Sequence, residues 1–336
     1  MTRPSFLLSR RHVLRGLAAT AALPALRPVP ARAQAAPDAV LLVLQDLHSP
    51  YARLPAILAQ VRAIRAETGG APMAMVLNGD LFERGNAVAT RSGAAADWTF
   101  LRALAAELPT YVNLGNHETA ILDDMAVFCA RAVQAGVQPI SNLMDRRTGR
   151  FFAPVSDRIG LGGIDVALLG VATTNPFVYR EPVRETLGFL SPETCVAYAF
   201  ADATAGADLP VLVTHAGVAA DKAMLPHLPA GALVLGAHDH LQFETRETGQ
   251  HYLHGGSWGT GLGVVGLRRT GDGIATDYSL RAVAPEGGDP AIAEAIAAAK
   301  AAHMTDADAA VIAEIPQALD MHRSILVATD AVRAAA

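Results

Sequence analysis

The stretch Val76-Leu77-Asn78-Gly79-Asp80-Leu81-Phe82-Glu83-Arg84 sets the reading of the whole chain. Met73 to Leu77 are apolar enough for a buried strand, and Asn78-Gly79 then breaks it. Asp80 is therefore expected just past the carboxyl end of a strand, where open α/β sheets place their ligands. Four other apolar runs end in the same way. Val40 to Leu44 precedes Asp46-Leu47-His48, and Tyr111 to Leu114 precedes Gly115-Asn116-His117-Glu118. Val211 to Thr214 precedes His215, and Leu233 to Gly236 precedes His238-Asp239-His240. Packing alone gives no reason for five strand ends to present carboxylates, an amide and imidazoles.

Between these runs the apolar spacing changes. Leu54, Ile57, Leu58, Val61 and Ile64 fall at helical intervals, so an amphipathic helix is expected between the strand ending at Leu44 and the one ending at Asn78. Strand, helix, strand in that order implies parallel pairing. Gly85 to Gly93 is polar and turn-rich and reads as a loop over the site. Trp98 to Leu108 gives a second helix stopped by Pro109, and Asp123 to Ala135 a third. After Gly136 the runs are short. Phe151–Val155, Ile164–Val171, Gln242–Thr245, Gln250–His254, Leu262–Arg268 and Ile274–Leu280 are separated by Gly, Asp or Asn, which predicts a second sheet with antiparallel stretches. Ser191-Pro192-Glu193 reads as a cap, a first-turn proline and an early acid opening a helix through Ala203. The alanine-rich stretch from Pro290 to Ala336 is expected to be helical and docked outside.

At 336 residues, 51% hydrophobic and 5% aromatic, the composition suits one large globular domain over residues 34–336. A formal net charge of −5 argues against a nucleic-acid surface driven by phosphate neutralisation. No apolar run reaches the roughly 18 residues of a spanning helix, so no membrane anchor is expected in the mature chain. Residues 1–33 read as a targeting segment. Ser9-Arg10-Arg11-His12-Val13-Leu14-Arg15 resembles the bacterial twin-arginine export signal, Gly16 to Leu26 is modestly apolar, and Ala31-Arg32-Ala33 offers a cleavage site before Gln34. The expected partner is the twin-arginine export machinery and the expected compartment the periplasm. Cys129 and Cys195 are the only cysteines, which excludes a thiolate metal framework.

The remaining donor set is oxygen and nitrogen. Two divalent metals about 3.5–4 Å apart can share one carboxylate and activate water for in-line attack. Carboxylate, amide and imidazole ligands suit Mn, Fe or Zn.

The order Asp-x-His, Gly-Asp-x-x-acid-Arg-Gly, Gly-Asn-His-acid, a lone His and then His-x-His resembles the calcineurin-like metallophosphoesterases, over roughly Val40 to Arg268. Gly79 to Gly85 is similar to the signature of serine/threonine phosphoprotein phosphatases. Gly160–Thr174 and His251–Arg268 look more like the catalytic domain of periplasmic 5′-nucleotidases. The resemblance implies an α/β fold of two packed mixed β-sheets flanked by helices, an αββα sandwich, and a metal-dependent hydrolase of phosphate esters with two divalent ions. It places Asp46, His48, Asp80 and His240 around the first metal, with Asp80 bridging, and Asn116, His215 and His238 around the second. His117 matches the family's proton donor to the leaving group in a reaction where a metal-bridging hydroxide attacks phosphorus. Arg84 matches its phosphate clamp, and Glu83 the carboxylate that orients the histidine.

Three departures stand out. Ala237 replaces the glycine usual before His-x-His. Ala120 stands where 5′-nucleotidases carry the aspartate partner of the catalytic histidine, which leaves that task to Glu83 or Glu118. The residues after Leu280 are too few for the base-stacking domain of 5′-nucleotidases, so a nucleotide preference is not implied. A sulfur-ester hydrolase is the alternative, since thiosulfohydrolases share the 5′-nucleotidase plan, and a non-catalytic binding protein on the same fold is another. Taken singly, Asn78 and Asn116 are ordinary turn residues, Glu118 is structural, and His251 and His254 are candidates for substrate contact.

Overall fold

The computed structural model describes residues 36–246 and 248–309. The expected leader, 1–33, and residues 310–336 of the expected C-terminal helix lie outside them.

Two six-stranded sheets lie face to face. The first contains β1 Ala39–Gln45, β2 Met73–Asn78, β3 Thr110–Asn113, β4 Val137–Ile140, β14 Gly261–Thr270 and β15 Gly273–Ala282, in the order β15-β14-β1-β2-β3-β4. Strands β1 to β4 pair in parallel, and the β14–β15 hairpin adds antiparallel to β1. The second contains β7 Ser156–Leu161, β8 Ile164–Ala172, β10 Leu209–His215, β11 Leu233–Gly236, β12 Gln242–Thr245 and β13 His251–Gly255. Their order is β12-β13-β11-β10-β8-β7. Here β8, β10, β11 and β13 run parallel, and the edge strands β7 and β12 are antiparallel. A small third sheet joins β6 (Arg150–Phe151), β5 (Leu143–Asp145) and β9 (Leu187–Phe189).

The central strands are apolar on both faces because both faces are covered. In β1, Ala39, Leu41 and Val43 join Val211, Val213, Val166 and Leu168 between the sheets. Val40, Leu42 and Leu44 point the other way, against helices Leu54–Glu67, Ala95–Glu107 and Pro290–His303. On the far side Leu169, Val171 and Leu212 pack on helices Pro192–Ala203 and Val218–Met224. This is the expected αββα sandwich. No helix among the described residues is long and apolar enough to cross a membrane.

Helix starts and stops follow their local chemistry. The Ser191 hydroxyl accepts from the Thr194 amide at the head of Pro192–Ala203, as expected. Helix Ala95–Glu107 ends two residues before Pro109. Three expectations are corrected, the first being Phe151–Val155, which gives only Phe151 to a strand, in the third sheet rather than the second. Gly85–Gly93 is not a loop throughout: Ala87–Ser92 is a short helix, capped by the Asn86 side chain and closed by left-handed Gly93. The runs around Leu262–Arg268 and Ile274–Leu280 extend the first sheet through β1 rather than joining the second. Strand periodicity reports a strand and not its partner, which explains the misplacement.

The two sheets are tied by side-chain amides at the ends of three neighbouring strands. Gln45 Nε2 donates to the Gly236 carbonyl (2.7 Å). Asn78 Nδ2 donates to the carbonyls of Thr214 (3.0 Å) and Leu235 (2.8 Å). Asn113 Nδ2 donates to Val171 O (2.9 Å) and to Asn78 Oδ1 (3.0 Å). Asn78 is therefore a strut between sheets, not the turn residue it resembles in isolation. Replacing it with alanine removes three buried hydrogen bonds, two to carbonyls and one from Asn113, each worth about 0.5–1.5 kcal/mol. Asn78→Ala is expected to lower unfolding free energy by about 3 kcal/mol, measured by urea denaturation with and without a chelator. An unchanged midpoint would remove the strut from the account of the fold.

Candidate metal centre

The seven candidate ligands come from five strand ends in two sheets. Asp46 and His48 follow β1, Asp80 follows β2, Asn116 follows β3, His215 ends β10, and His238 and His240 follow β11. The structure brings the acids and imidazoles together. Asp46, His48 and His240 form one group of donors, and Asp80, His215 and His238 another, the atoms in each lying within 4.8 Å. His117 also falls within that distance of His48 and Asp80.

The backbone turns sharply to achieve this. Asp46 (φ 45°), His48 (55°), Asp80 (53°), His238 (81°) and His240 (56°) all adopt left-handed conformations. Five of the seven candidate ligands thus carry strain of about 1–3 kcal/mol each, a cost that clusters at functional sites. Gly79 and Gly115 leave space for the same turns. A Cβ on Gly79 would collide with the His215 ring, and one on Gly115 with the Asp80 carboxylate.

Asp80 occupies the middle. Its Oδ1 lies 3.2 Å from His215 Nε2 and accepts the His117 amide (2.7 Å), while Oδ2 faces His48 Nε2 at 3.9 Å. One carboxylate therefore presents an oxygen to each group. His48 and His240 bring their Nε2 atoms to 3.0 Å. That separation is the spacing of two donors at right angles about an ion with bonds of about 2.1 Å. Asp46 accepts the His238 amide on both oxygens (3.1 Å each) and lies 3.7 Å from His240 Nε2 and 3.8 Å from His215 Nε2.

Two unpaired buried atoms test whether cations fit. His215 Nδ1 is 3.0 Å from the Asn78 carbonyl, which commits that nitrogen as the donor and leaves Nε2, facing the acids, as the atom that a proton or a cation would occupy. Nε2 has no hydrogen-bond partner. Asn116 Nδ2 donates outward to Val178 O (3.4 Å), and its buried Oδ1 has no partner. Buried polar atoms without partners, on residues at an acidic, imidazole-rich cavity, fit divalent ions.

The charges tell the same story. Burial is the main force driving Asp46 up to about 7. Burial favours the neutral ring of His215, yet Asp80 beside it pulls the imidazole up to about 10. Burial would also raise Asp80, but His215, His117 and His48 outweigh it and hold the carboxyl well below its ordinary value. Burial, reinforced by His48, pushes His240 down to about 4. The cluster on its own holds protons that dications would displace.

Glu83 stands behind two imidazoles. Its Oε2 lies 3.5 Å from His117 Nδ1 and 3.3 Å from His48 Nδ1, and its Oε1 accepts the Gly85 amide (2.7 Å). Those two rings, His117 foremost, hold its carboxyl well below the usual range. Burial works against a charged His117, but Glu83 and Asp80 raise its proton affinity above the ordinary value. Glu118 is fully buried and accepts the amides of Leu81 (3.3 Å) and Gly115 (3.0 Å). It clasps the Asp80 and Asn116 loops together and reaches no substrate space. Of the two acids considered as partners of His117, Glu83 has the geometry.

Arg84 is exposed and lines a cavity adjoining the candidate metal ligands rather than the cavity they line themselves. His251 and His254 do not face the site. His251 is buried against Thr276 (2.6 Å) and Glu244 (2.9 Å), and His254 against Tyr252 (2.9 Å) and Asp221 (3.3 Å). As candidates for substrate contact they are corrected, because the packing of β13 turns them into the protein. Trp258, which motif reading passed over, lines the ligand cavity of about 380 Å³. It stacks on His48 with ring centres 4.7 Å apart, and its amide donates to Asp46 O (2.8 Å). The available signal was the turn-rich run Gly255-Gly256-Ser257-Trp258-Gly259 after an apolar strand.

The calcineurin-like phosphoesterase family model matches residues 40–242. No curated protein sequence matches the chain. Among solved structures, a sulfate thiohydrolase from Thermus thermophilus, in complex with glycerol, superposes with TM-score 0.67 at 18% identity, over 80% of this chain and 61% of that one. A 5′-nucleotidase precursor from the same organism gives 0.64 at 19%, over 82% and 60%. A putative 5′-nucleotidase from Staphylococcus aureus gives 0.64 at 14%, over 78% and 58%. At these identities the likeness is one of fold, and the chain spans less than two thirds of each neighbour. The family match covers more than half of the sequence and takes in every candidate ligand from Asp46 to His240. The chain therefore belongs to the calcineurin-like phosphoesterase family, the metal-dependent phosphoesterase class that its motifs led us to expect.

Proposed function

We propose that the protein is a dinuclear metal hydrolase of phosphate esters, acting after export to the periplasm. The observation that carries the reading is Asp80, whose two oxygens face two separate groups of donors. Asp46, His48, Asp80 and His240 would hold one divalent ion, and Asp80, Asn116, His215 and His238 the other, with Mn, Fe or Zn suited to the donors. When bound, such ions supply Lewis acidity toward a phosphoryl oxygen and an activated water.

The chain's own residues divide the rest of the work. His117 shares the cavity with the ligands, so a leaving-group oxygen seated there comes within reach of its proton. Glu83 orients the ring and stabilises its charged form. Trp258 walls the cavity and keeps His48 in its rotamer by stacking. A complete ligand set argues against a scaffold that has lost its chemistry. Phosphate release from p-nitrophenyl phosphate and its bis ester, compared with sulfate release from a sulfur ester, tests phosphate against sulfur chemistry.

Metal content tests the shared carboxylate. Elemental analysis is expected to find two divalent ions per chain. Asp80→Asn should disturb both, His240→Ala mainly one, and His215→Ala or His238→Ala mainly the other. Active protein with at most one tightly bound ion would sink the shared-bridge arrangement.

Leaving-group dependence tests His117. His117→Ala should keep both metals and lose about 10² to 10⁴ in turnover on alkyl phosphates. The loss on p-nitrophenyl phosphate should be far smaller, because that group departs as an anion. Glu83→Gln should show a weaker form of the same pattern. Equal losses on good and poor leaving groups would assign His117 to electrostatic stabilisation, and loss of metal would make it a ligand.

The export reading rests on Arg10-Arg11 and the segment that follows. Replacing both by lysine should leave the protein in the cytoplasm, and periplasmic material should start near Gln34. Normal export of the double-lysine variant, read by fractionation, would refute it.

A further inference from the structure

A second cavity, of about 210 Å³, opens beside the ligand cavity and shares Asn116, His117 and Val178 with it. Its other walls are Arg84, Ala120, Tyr179 and Arg180. Two arginines are among its lining residues and no acidic residue is. At roughly 30 Å³ per water, the space holds a group of only a few carbons.

Arg180 is held in place. It follows Tyr179, which is buried and donates from its hydroxyl to Thr173 O (2.8 Å). The Arg180 guanidinium donates to Thr119 O (3.0 Å), on the turn that also carries His117, and to Asp123 Oδ1 (2.5 Å). Asp123 is largely exposed, so its attraction is screened by water. Ala120 contributes only a methyl group. Val178, two residues before Arg180, accepts from the Asn116 amide, which ties this segment to the ligand set.

His117 stands at the junction of the two cavities, and the ligands Asp80, His48, His238 and His240 lie on one side of it only. A phosphoryl group among those ligands leaves its ester partner on the other side, against Arg84 and Arg180. We propose that this small cavity is a leaving-group subsite for an anion, so that the preferred substrate is a phosphate ester of a small alcohol bearing a second acidic group, a carboxylate or another phosphate. Arg180 is the specificity-determining residue, donating charge-assisted hydrogen bonds to that group. The proposal rests on the phosphoesterase reading and narrows it.

The test compares three esters on the metal-loaded full chain: glycerol 3-phosphate, 3-phosphoglycerate and propane-1,3-diyl bisphosphate. One or both acidic esters should exceed glycerol 3-phosphate in kcat/KM by roughly tenfold or more, mainly through KM, the effect of a charge-assisted hydrogen bond. Preference for 3-phosphoglycerate alone assigns the anion as a carboxylate, and preference for the bisphosphate alone assigns it as a phosphate. Arg180→Gln should erase most of that ratio and Arg180→Lys retain part of it, whereas a purely structural role would lower all three rates together. A metal-independent readout accompanies it: saturation-transfer NMR should detect free glycerate, but not glycerol, on the wild type, and lose the glycerate signal in Arg180→Gln. Equal kcat/KM on the three esters, or a uniform loss in Arg180→Gln, would overturn the subsite and leave the phosphoesterase reading standing. Hydrolysis of none of them while p-nitrophenyl phosphate or its bis ester is still cleaved would overturn the subsite alone, and cleavage of no phosphate ester at all would overturn both.

Discussion

Three side-chain amides hold the two halves of this protein in register. Apolar side chains between the sheets are non-directional and would tolerate sliding, but Gln45, Asn78 and Asn113 reach specific carbonyls of the opposite sheet. Each sits at the end of a strand, just before a candidate ligand. The first sheet supplies Asp46, His48, Asp80 and Asn116, and the second His215, His238 and His240. Neither sheet alone has a complete set for either group. The amides fix the distance across which the two sets meet, and the His215 ring shares in the tie through the Asn78 carbonyl.

The site concentrates costs that the surrounding core offsets. Buried carboxylates repel, imidazoles lose hydration, and left-handed turns are strained at residues with large side chains. The layers around it are almost wholly buried aliphatic and aromatic residues. Glu118, driven up to about 7 by burial, fastens the strained Asp80 loop to the Asn116 loop through their amides. Such preorganisation places donors before a substrate arrives, which is where electrostatic catalysis gains most.

Glu83 connects a candidate metal ligand to the candidate acid. Facing both His48 and His117, it lies where it would steady one ring for coordination and the other for proton transfer under the proposed function. It also replaces the acid that Ala120 cannot supply. Change around His117 therefore has a second consequence: with only a methyl group at position 120, space opens toward Arg180, and the surface beyond the histidine becomes cationic.

The five strands that carry the site, the parallel pairing of the first of them and the candidate ligand residues at their ends were legible in the sequence, because buried strands are apolar throughout and turn residues mark where they stop. Asp46, His48, Asp80, Asn116, His215, His238 and His240 all lie at the strand ends where their motifs put them. What the sequence could not disclose depends on contacts between residues far apart in the chain. Asn78 reads as a turn former until the opposite sheet supplies its carbonyl partners, 136 and 157 residues away. The β14–β15 hairpin carries the right period for a strand, and only packing assigns it to β1. His251 and His254 look available until the facing of β13 buries them. Trp258 and Arg180 were singled out by no motif, and only the folded chain brings them beside His48 and His117. Local pattern determines which residues a strand end can offer; the sheet-to-sheet packing decides which of them share a cavity, because side-chain direction and distance across the sandwich are set by long-range hydrogen bonds and core volume.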